Sequence, residues 1–250
     1  MIRLKTAGEI EAIAEAGAII GRLHEQFPAM IRDGVTTLEL DAFAEEFIRS
    51  HPGAVPAFKG QYGFPKNICI SVNEEVVHGI PRPARTLRDG DIVSIDVGVL
   101  LDGWYADAAR TFPVGEITPE AQRLLDVTEA AMYEGIRMAK AGNRLGDIGA
   151  AVQRTAESAG FGVVRDLVGH GIGRQMHEDP QVPNFGRPGQ GLRLRTGLVI
   201  CIEPMITAGS PEVLTLDDRW TVVTQDGGLS AHFEHTVAVL ADGPRILTAA

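Results

Sequence analysis

The sequence predicts an α+β fold in which helices cover one side of strands that are mostly antiparallel and curve together. Three observations predict it. Helical patterns precede β-rich runs in each half of the chain, the order of elements then starts again, and Asp102 with Gly103 form a two-residue hairpin turn between the two longest β-rich runs. The repeat is visible in the residues themselves. DGVTTLELDAF at 33–43 lines up with AGNRLGDIGAA at 141–151, so that Gly34 matches Gly142, Glu39 matches Asp147 and Leu40 matches Ile148. This marks a duplicated helix-helix-strand unit with pseudo-symmetric halves at about 1–115 and 116–250, fused into one domain over 1–250 without a linker-like or low-complexity stretch. Taken in order, Thr6 with Glu9 is a capping box opening a helix to about residue 31, and Thr36 with Glu39 opens a second ending near Ser50. Strands follow at 67–72, 91–101 and 104–112. Thr118 and Pro119 provide the N-cap and first position of a third helix, and a fourth runs over 146–159 and stops at Gly160. Further strands are expected at 163–168, 197–203, 220–224 and 229–240.

Composition sets broad bounds. With 250 residues and 44% hydrophobic content, the chain can bury a sizeable core. No apolar run approaches the roughly 20 residues that span a bilayer, and the opening MIRLKTAGEIEAIAEAG lacks the pattern of a signal peptide. The expectation is a soluble, cytoplasmic protein with no membrane partner. A net charge of -10 argues against nucleic acid as substrate, with a local basic patch at Arg82, Arg85 and Arg88 as the one counter-indication. Cys69 and Cys201 lie inside apolar strand-like runs and suit buried thiols of a reducing compartment.

Five side chains carry the chemistry. Asp96, Asp107, His170, Glu203 and Glu234 each sit in an apolar or glycine-rich stretch, where a charge is costly unless something pairs with it. If Leu101 faces Trp104 across the hairpin, Asp96 faces Ala109 and Gly98 faces Asp107, placing both aspartates on one face as diagonal neighbours about 7–8 Å apart. The other face, Val93, Ile95, Val97 and Val99, should meet the helices. Glu203 ends GLVICIE immediately before Pro204, and Glu234 lies in the β-branched run SAHFEHTVAVL. His170 lies in GHGIG, which has neither the spacing of a dinucleotide fingerprint nor a P-loop lysine; its glycines allow close backbone approach while His170 points at a metal. Four carboxylates and one neutral imidazole leave a negative charge that two divalent cations cancel. Oxygen and imidazole donors suit Mn, Fe, Co or Zn in an open, catalytic centre.

The stretches GFPKNICISVNEEVVHGIP, DGDIVSIDVGVLLDGWYADAARTF, GHGIGRQMHEDPQVPNFG, LVICIEPMI and AHFEHTVAVL stand in the order found in type I methionine aminopeptidases, metallopeptidases of the pita-bread fold, and the chain resembles that family nearly end to end. The resemblance implies that Asp96, Asp107, His170, Glu203 and Glu234 hold two divalent ions (Co, Mn, Fe or Zn), with Asp107 and Glu234 bridging. It implies His78 and His177 as catalytic histidines that also bind substrate. The implied activity is removal of N-terminal methionine from nascent proteins and peptides, preferably before a small second residue, with an ion-activated water as nucleophile and Glu203 as proton shuttle. A methionine pocket walled by Phe58, Phe64, Cys69, Met176 and Trp220 follows by the same resemblance, as do a monovalent cation near Asn73, Glu75 and Ser230, transient ribosome contact and a monomeric state. Only 31 positions separate Glu203 from Glu234, too few for the helical insertion of the type II enzymes.

The chain departs from the family pattern at Met176 and Gln61, where aromatics are common, at Tyr105 and Ala106 in place of His-Gly, and at His232 in place of glutamine. His232 precedes Glu234 by two residues and shares its strand face, and the reading favoured is a partner of the ligands rather than a ligand. His24, His51 and His235 are expected to be solvated or hydrogen-bonded structural residues. Two other functions share the fold: an Xaa-Pro peptidase, which would share all five ligands but usually carries an additional N-terminal domain where this chain begins almost directly with the core, and a non-catalytic peptide-binding relative, which should have lost ligands.

Overall fold

The first two helices begin where the sequence caps them. In a computed structural model that describes residues 2–249, the Thr36 hydroxyl accepts the Glu39 N–H while the Glu39 carboxylate accepts the Thr36 N–H at 2.8 Å, and Thr6 and Glu9 repeat the exchange. Helix α1 spans Ala7–Met30 and α2 spans Thr37–Arg49. Helix α3 (Pro119–Met138) starts on the Thr118 hydroxyl. Helix α4 (Leu145–Ser158) starts one residue earlier than predicted and keeps half a capping box: the Asp147 carboxylate accepts the Arg144 N–H at 2.7 Å, but arginine has no oxygen to return the bond. The aligned residues Glu39 and Asp147 thus play the same part in the two halves. No helix among the described residues is long and apolar enough to cross a membrane.

Every strand pairing among the described residues is antiparallel. The hairpin Ile92–Leu101 with Trp104–Pro113 turns at Asp102 (φ 49°) and Gly103 (φ 79°), both positive as a type I′ turn requires. Its register is the predicted one, with Asp96 opposite Ala109 and Gly98 opposite Asp107. Val93, Ile95, Val97 and Val99 are fully buried in one hydrophobic cluster with α1 and α2, each contributing about 1.5–3 kcal/mol of burial. A second cluster joins α3 and α4 to a five-stranded sheet ordered Pro244–Ile246, His235–Val239, Val199–Ile202, Gly169–Gly171, Glu178–Val182.

Two threonines bolt the hairpin to the second half. The Thr236 hydroxyl accepts the Asp107 N–H at 3.0 Å and donates to the Asp107 carbonyl at 2.8 Å. The Thr111 hydroxyl does the same for His232, at 2.9 and 2.8 Å, and between them the Glu234 N–H donates to the Ala109 carbonyl at 2.8 Å. The segment 232–236 therefore runs antiparallel to 107–111 as a ladder spaced out by two side chains. Thr236→Val, which keeps the shape and removes both bonds, is expected to lower stability by about 1–3 kcal/mol in thermal or urea unfolding.

Several predicted strands are shorter than the sequence suggests, each for a local reason. The run 229–240 is two strands, Ser230–His232 and His235–Val239, and Val199–Ile202 is likewise separated from Met205–Thr207. The two interruptions face each other, since Met205 pairs with His232 and Ile202 with His235. Pro204 has no N–H to give a ladder, and the Glu234 N–H is spent on Ala109. Strand Cys69–Val72 starts late because the Asp41 carboxylate takes the N–H groups of Asn67 and Ile68. Strand Val222–Thr224 starts late because Asp218 holds the N–H groups of Trp220 and Thr221 in a turn. Of 163–168, only Val163 is in a strand, as part of Gly162–Val163. Between Glu203 and Glu234 there is no helix among the described residues.

Candidate metal centre

The elements deliver the five predicted residues to one cavity of about 540 Å³. Asp96 and Asp107 come from the inner face of the hairpin, and Glu203 and Glu234 from the facing strand interruptions, where no ladder constrains them. His170 sits mid-strand in Gly169–Gly171, bracketed by glycines for a steric reason: a Cβ on Gly169 would lie 2.3 Å from the Cys201 carbonyl oxygen and one on Gly171 2.2 Å from that of Asp179. His170 Nε2 ends 3.6 Å from Glu203 Oε1 and 3.8 Å from Asp107 Oδ2. Donor atoms of Asp107, His170, Glu234 and Cys201 lie within 4.8 Å of one another, and Asp96 lines the same cavity.

The electrostatics are those of carboxylates crowded together out of water. Burial pushes Asp96 up to about 7. Burial raises Asp107 well above the usual carboxylate range, with Glu234 and Asp96 adding to it. Glu203 is raised by burial, then Asp107 and Asp96, and Glu234 by burial, then Glu203 and Asp96. Burial and the neighbouring His177 hold His170 down at about 3, so its ring is neutral. Its Nδ1–H faces the Gly171 carbonyl at 2.9 Å, which leaves the Nε2 lone pair aimed at the carboxylates. Asp96 Oδ1, Asp107 Oδ1, Glu203 Oε1, Glu234 Oε1 and His232 Nε2 are all buried with no hydrogen-bond partner among the described residues. Lone pairs facing lone pairs in a buried cluster are what divalent ions stabilise, and the donor set fits them. Cys201, which no sequence motif marked for the site, has its thiol pushed well up by burial and by Glu234, and its Sγ lies 3.6 Å from Thr236 Oγ1 and within 4.8 Å of the Glu234 donor atom.

Both predicted histidines beside the centre line the cavity. His78 is held at a left-handed φ of 58° and stays neutral, lowered to about 4 by burial and His177. The His177 ring lies 4.3 Å from that of His170, and burial lowers it too. The turn before His177 folds around Glu178, whose carboxylate accepts the Arg174 and Gln175 N–H groups at 2.8 and 3.2 Å and meets Lys5 Nζ at 2.7 Å. Lys5 is 1% exposed in its side chain and Glu178 15%, so Lys5→Met leaves a largely buried carboxylate without its cation. The expected cost is about 3 kcal/mol, read as a Tm lowered by roughly 6–12 °C.

Phe58, Phe64, Cys69 and Trp220 line the cavity, with Phe64 edge-on to Trp220 at 5.1 Å and Cys69 directly opposite Asp96 in register. Met176 does not line it: it is 1% exposed and lies behind the wall, where its Cε and the Phe58 ring fill the space above Gly98. Gln61 and His232 are on the lining, whereas Tyr105 and Ala106 are not. Val77, Leu167 and Met205 add apolar surface that no motif announced, and Tyr62, 73% exposed, stands at the rim beside His177. Asn73 and Ser230 are adjacent, the Ser230 N–H donating to the Asn73 carbonyl at 2.9 Å, with Glu75 two residues on. His51 and His235 bond to Phe47 and Thr248, and His24 is buried beside Phe27 and Phe112, all away from the cavity.

Comparison with known proteins agrees with this geometry. The sequence profile of metallopeptidase family M24 matches residues 11–241. The methionine aminopeptidase of Clostridium perfringens (strain 13 / Type A) is 56% identical, with 99% of each chain covered, and methionine aminopeptidase 1 of Bacillus subtilis (strain 168) is 51% identical, also with 99% of each covered. The crystal structure of a methionine aminopeptidase from Thermotoga maritima superposes with a TM-score of 0.98 at 44% identity, covering 100% of both chains.

Proposed function

The chain belongs to metallopeptidase family M24 and has its pita-bread fold, and from that premise we propose that it is a methionine aminopeptidase removing N-terminal methionine from nascent proteins and peptides, preferably before a small residue. The observation that carries the chemistry is the set of four buried, unpartnered carboxylate oxygens in the cavity that His170 also lines, its Nε2 3.6 Å from one of them. In this reading Asp96, Asp107, His170, Glu203 and Glu234 would hold two divalent ions from among Mn, Fe, Co and Zn. Such ions, when bound, supply an activated water and polarise the scissile carbonyl, so no serine or cysteine nucleophile is needed. Glu203 takes a proton on its carboxylate and returns it to the leaving amine. His177 gives a hydrogen bond to the developing oxyanion, and His78 contacts the substrate backbone or leaving nitrogen. Phe58, Phe64, Cys69 and Trp220 enclose the methionine thioether, with Met176 setting the wall from behind. Backbone oxygens near Asn73, Glu75 and Ser230 would hold a monovalent cation. The enzyme works as a cytoplasmic monomer in transient contact with the ribosome.

The test is release of methionine from a Met-Gly-type peptide compared with cleavage of an Xaa-Pro peptide, both in buffer replete with divalent metal. Methionine release alone upholds the reading. Cleavage of the Xaa-Pro peptide alone moves the chain to the other peptidase branch of the fold, and no cleavage of either leaves a peptide-binding protein.

A further inference from the structure

We infer that His232 is a sixth protein donor to the metal centre, binding an ion through Nε2 beside Glu203. The inference rests on the proposed two-ion reading and concerns a residue outside the five ligands. His232 lines the cavity, is 2% exposed, and its Nε2 has no hydrogen-bond partner among the described residues. That nitrogen lies 4.0 Å from Glu203 Oε2, beyond hydrogen-bond range. A residue merely steadying Glu203 would touch it. Two donors that each sit about 2.0–2.2 Å from one ion are at most about 4.4 Å apart, so a separation of this size is what a shared ion permits.

His170 provides the internal comparison. Its Nε2 stands 3.6 Å from the other oxygen of the same carboxylate, Glu203 Oε1, and 3.8 Å from Asp107 Oδ2. The Glu203 carboxylate is therefore flanked by two imidazole nitrogens at similar range, one on each oxygen. His232 is also rigidly placed. Thr111 binds both its N–H and its carbonyl, and it shares the strand face of Glu234 two residues later. A partner role for His232, the reading favoured from sequence, leaves its inward nitrogen with nothing to bond; a donor role gives it a partner. An added neutral nitrogen strengthens binding without changing the charge of the site, and tilts preference toward the borderline ions Zn, Co and Fe over Mn.

The experiment uses the full chain, stripped of metal and titrated with Co²⁺ by calorimetry and visible absorption, as wild type and as His232→Gln. The expected result is a 10–100-fold weaker affinity for one of two Co²⁺ ions in the variant, of about the size seen when a metal's protein support is removed, with a changed d–d band. The main-chain bonds to Thr111 do not depend on the side chain, so the variant should fold. A second reading needs no variant: Co²⁺-loaded wild type should show two hyperfine-shifted, exchangeable imidazole N–H signals in the proton NMR spectrum, one for each histidine. A single such signal, or a variant matching wild type in affinity and band, overturns the inference while leaving the two-ion reading intact. Wild type that takes up no Co²⁺ overturns both.

Discussion

Glu203→Gln will lower the turnover of a Met-Gly-type peptide by about 10³-fold, within the 10²–10⁴ that a positioned acid–base group contributes. The glutamine amide has nearly the volume of the carboxylate, and the placement of the residue does not depend on its charge: its carbonyl accepts the Asn184 Nδ2–H at 3.0 Å, and Pro204 fixes the chain after it. What the amide cannot do is accept and return a proton. Because the amide oxygen can still face an ion, the measurement pairs kcat and KM with metal content at saturating Co²⁺. The expected pattern is a lost kcat, a KM changed little, and ions retained. Full turnover with ions bound would sink the shuttle assignment.

How far the site could be read in advance depends on which interactions place each residue. The aspartates were legible because a hairpin is local: Asp102 and Gly103 fix the turn, and the turn fixes the register from Leu101 and Trp104 back to Asp96 and Asp107. The helix starts were legible for the same reason, since Thr36 and Glu39 complete their box within four residues. The broken strands were not. Nothing within 229–240 says that the chain changes partners at Phe233 and Glu234; that break is set by Pro204 and Ala109, which are distant in sequence. The pocket divides in the same way. Cys69 inherits its position from the register opposite Asp96, whereas Met176 was placed on the wall by resemblance alone and lies behind it, because the space it fills is created by Gly98 on the distant hairpin. Cys201 escaped notice because a buried thiol in an apolar strand has no pattern of its own; only its position one turn of the pleat from Glu203 sets it beside Glu234.

Stripping the divalent ions will make the protein progressively less stable as the pH rises above about 6.5, and restoring them will remove that dependence. Below that pH two sets of groups oppose each other. The buried histidines, with His24, His170 and His232 held near 3 and His78 and His235 near 4, bind fewer protons folded than unfolded, so they favour the folded state increasingly as the pH climbs to their unfolded value. Above it they are neutral in both states and drop out. The carboxylates run the other way. Asp96 at about 7, and Asp107, Glu203 and Glu234 well above their ordinary values, keep protons in the folded protein that the unfolded chain has already released. The folded state then binds more protons, and stability falls with pH by about 1.4 kcal/mol per unit for each proton retained. For a chain of this size one retained proton corresponds to a Tm loss of roughly 3–6 °C per unit. With ions bound, the negative charge is compensated and the carboxylates ionise without cost, so the slope disappears. Thermal melts of the chelated and Co²⁺-loaded protein between pH 6.5 and about 8.5 read both slopes. Asp96→Asn removes one of the four groups and should flatten the metal-free curve. A metal-free protein whose Tm is level across that range would mean that the four carboxylates are not forced together in solution, and the two-ion site would lose its physical basis.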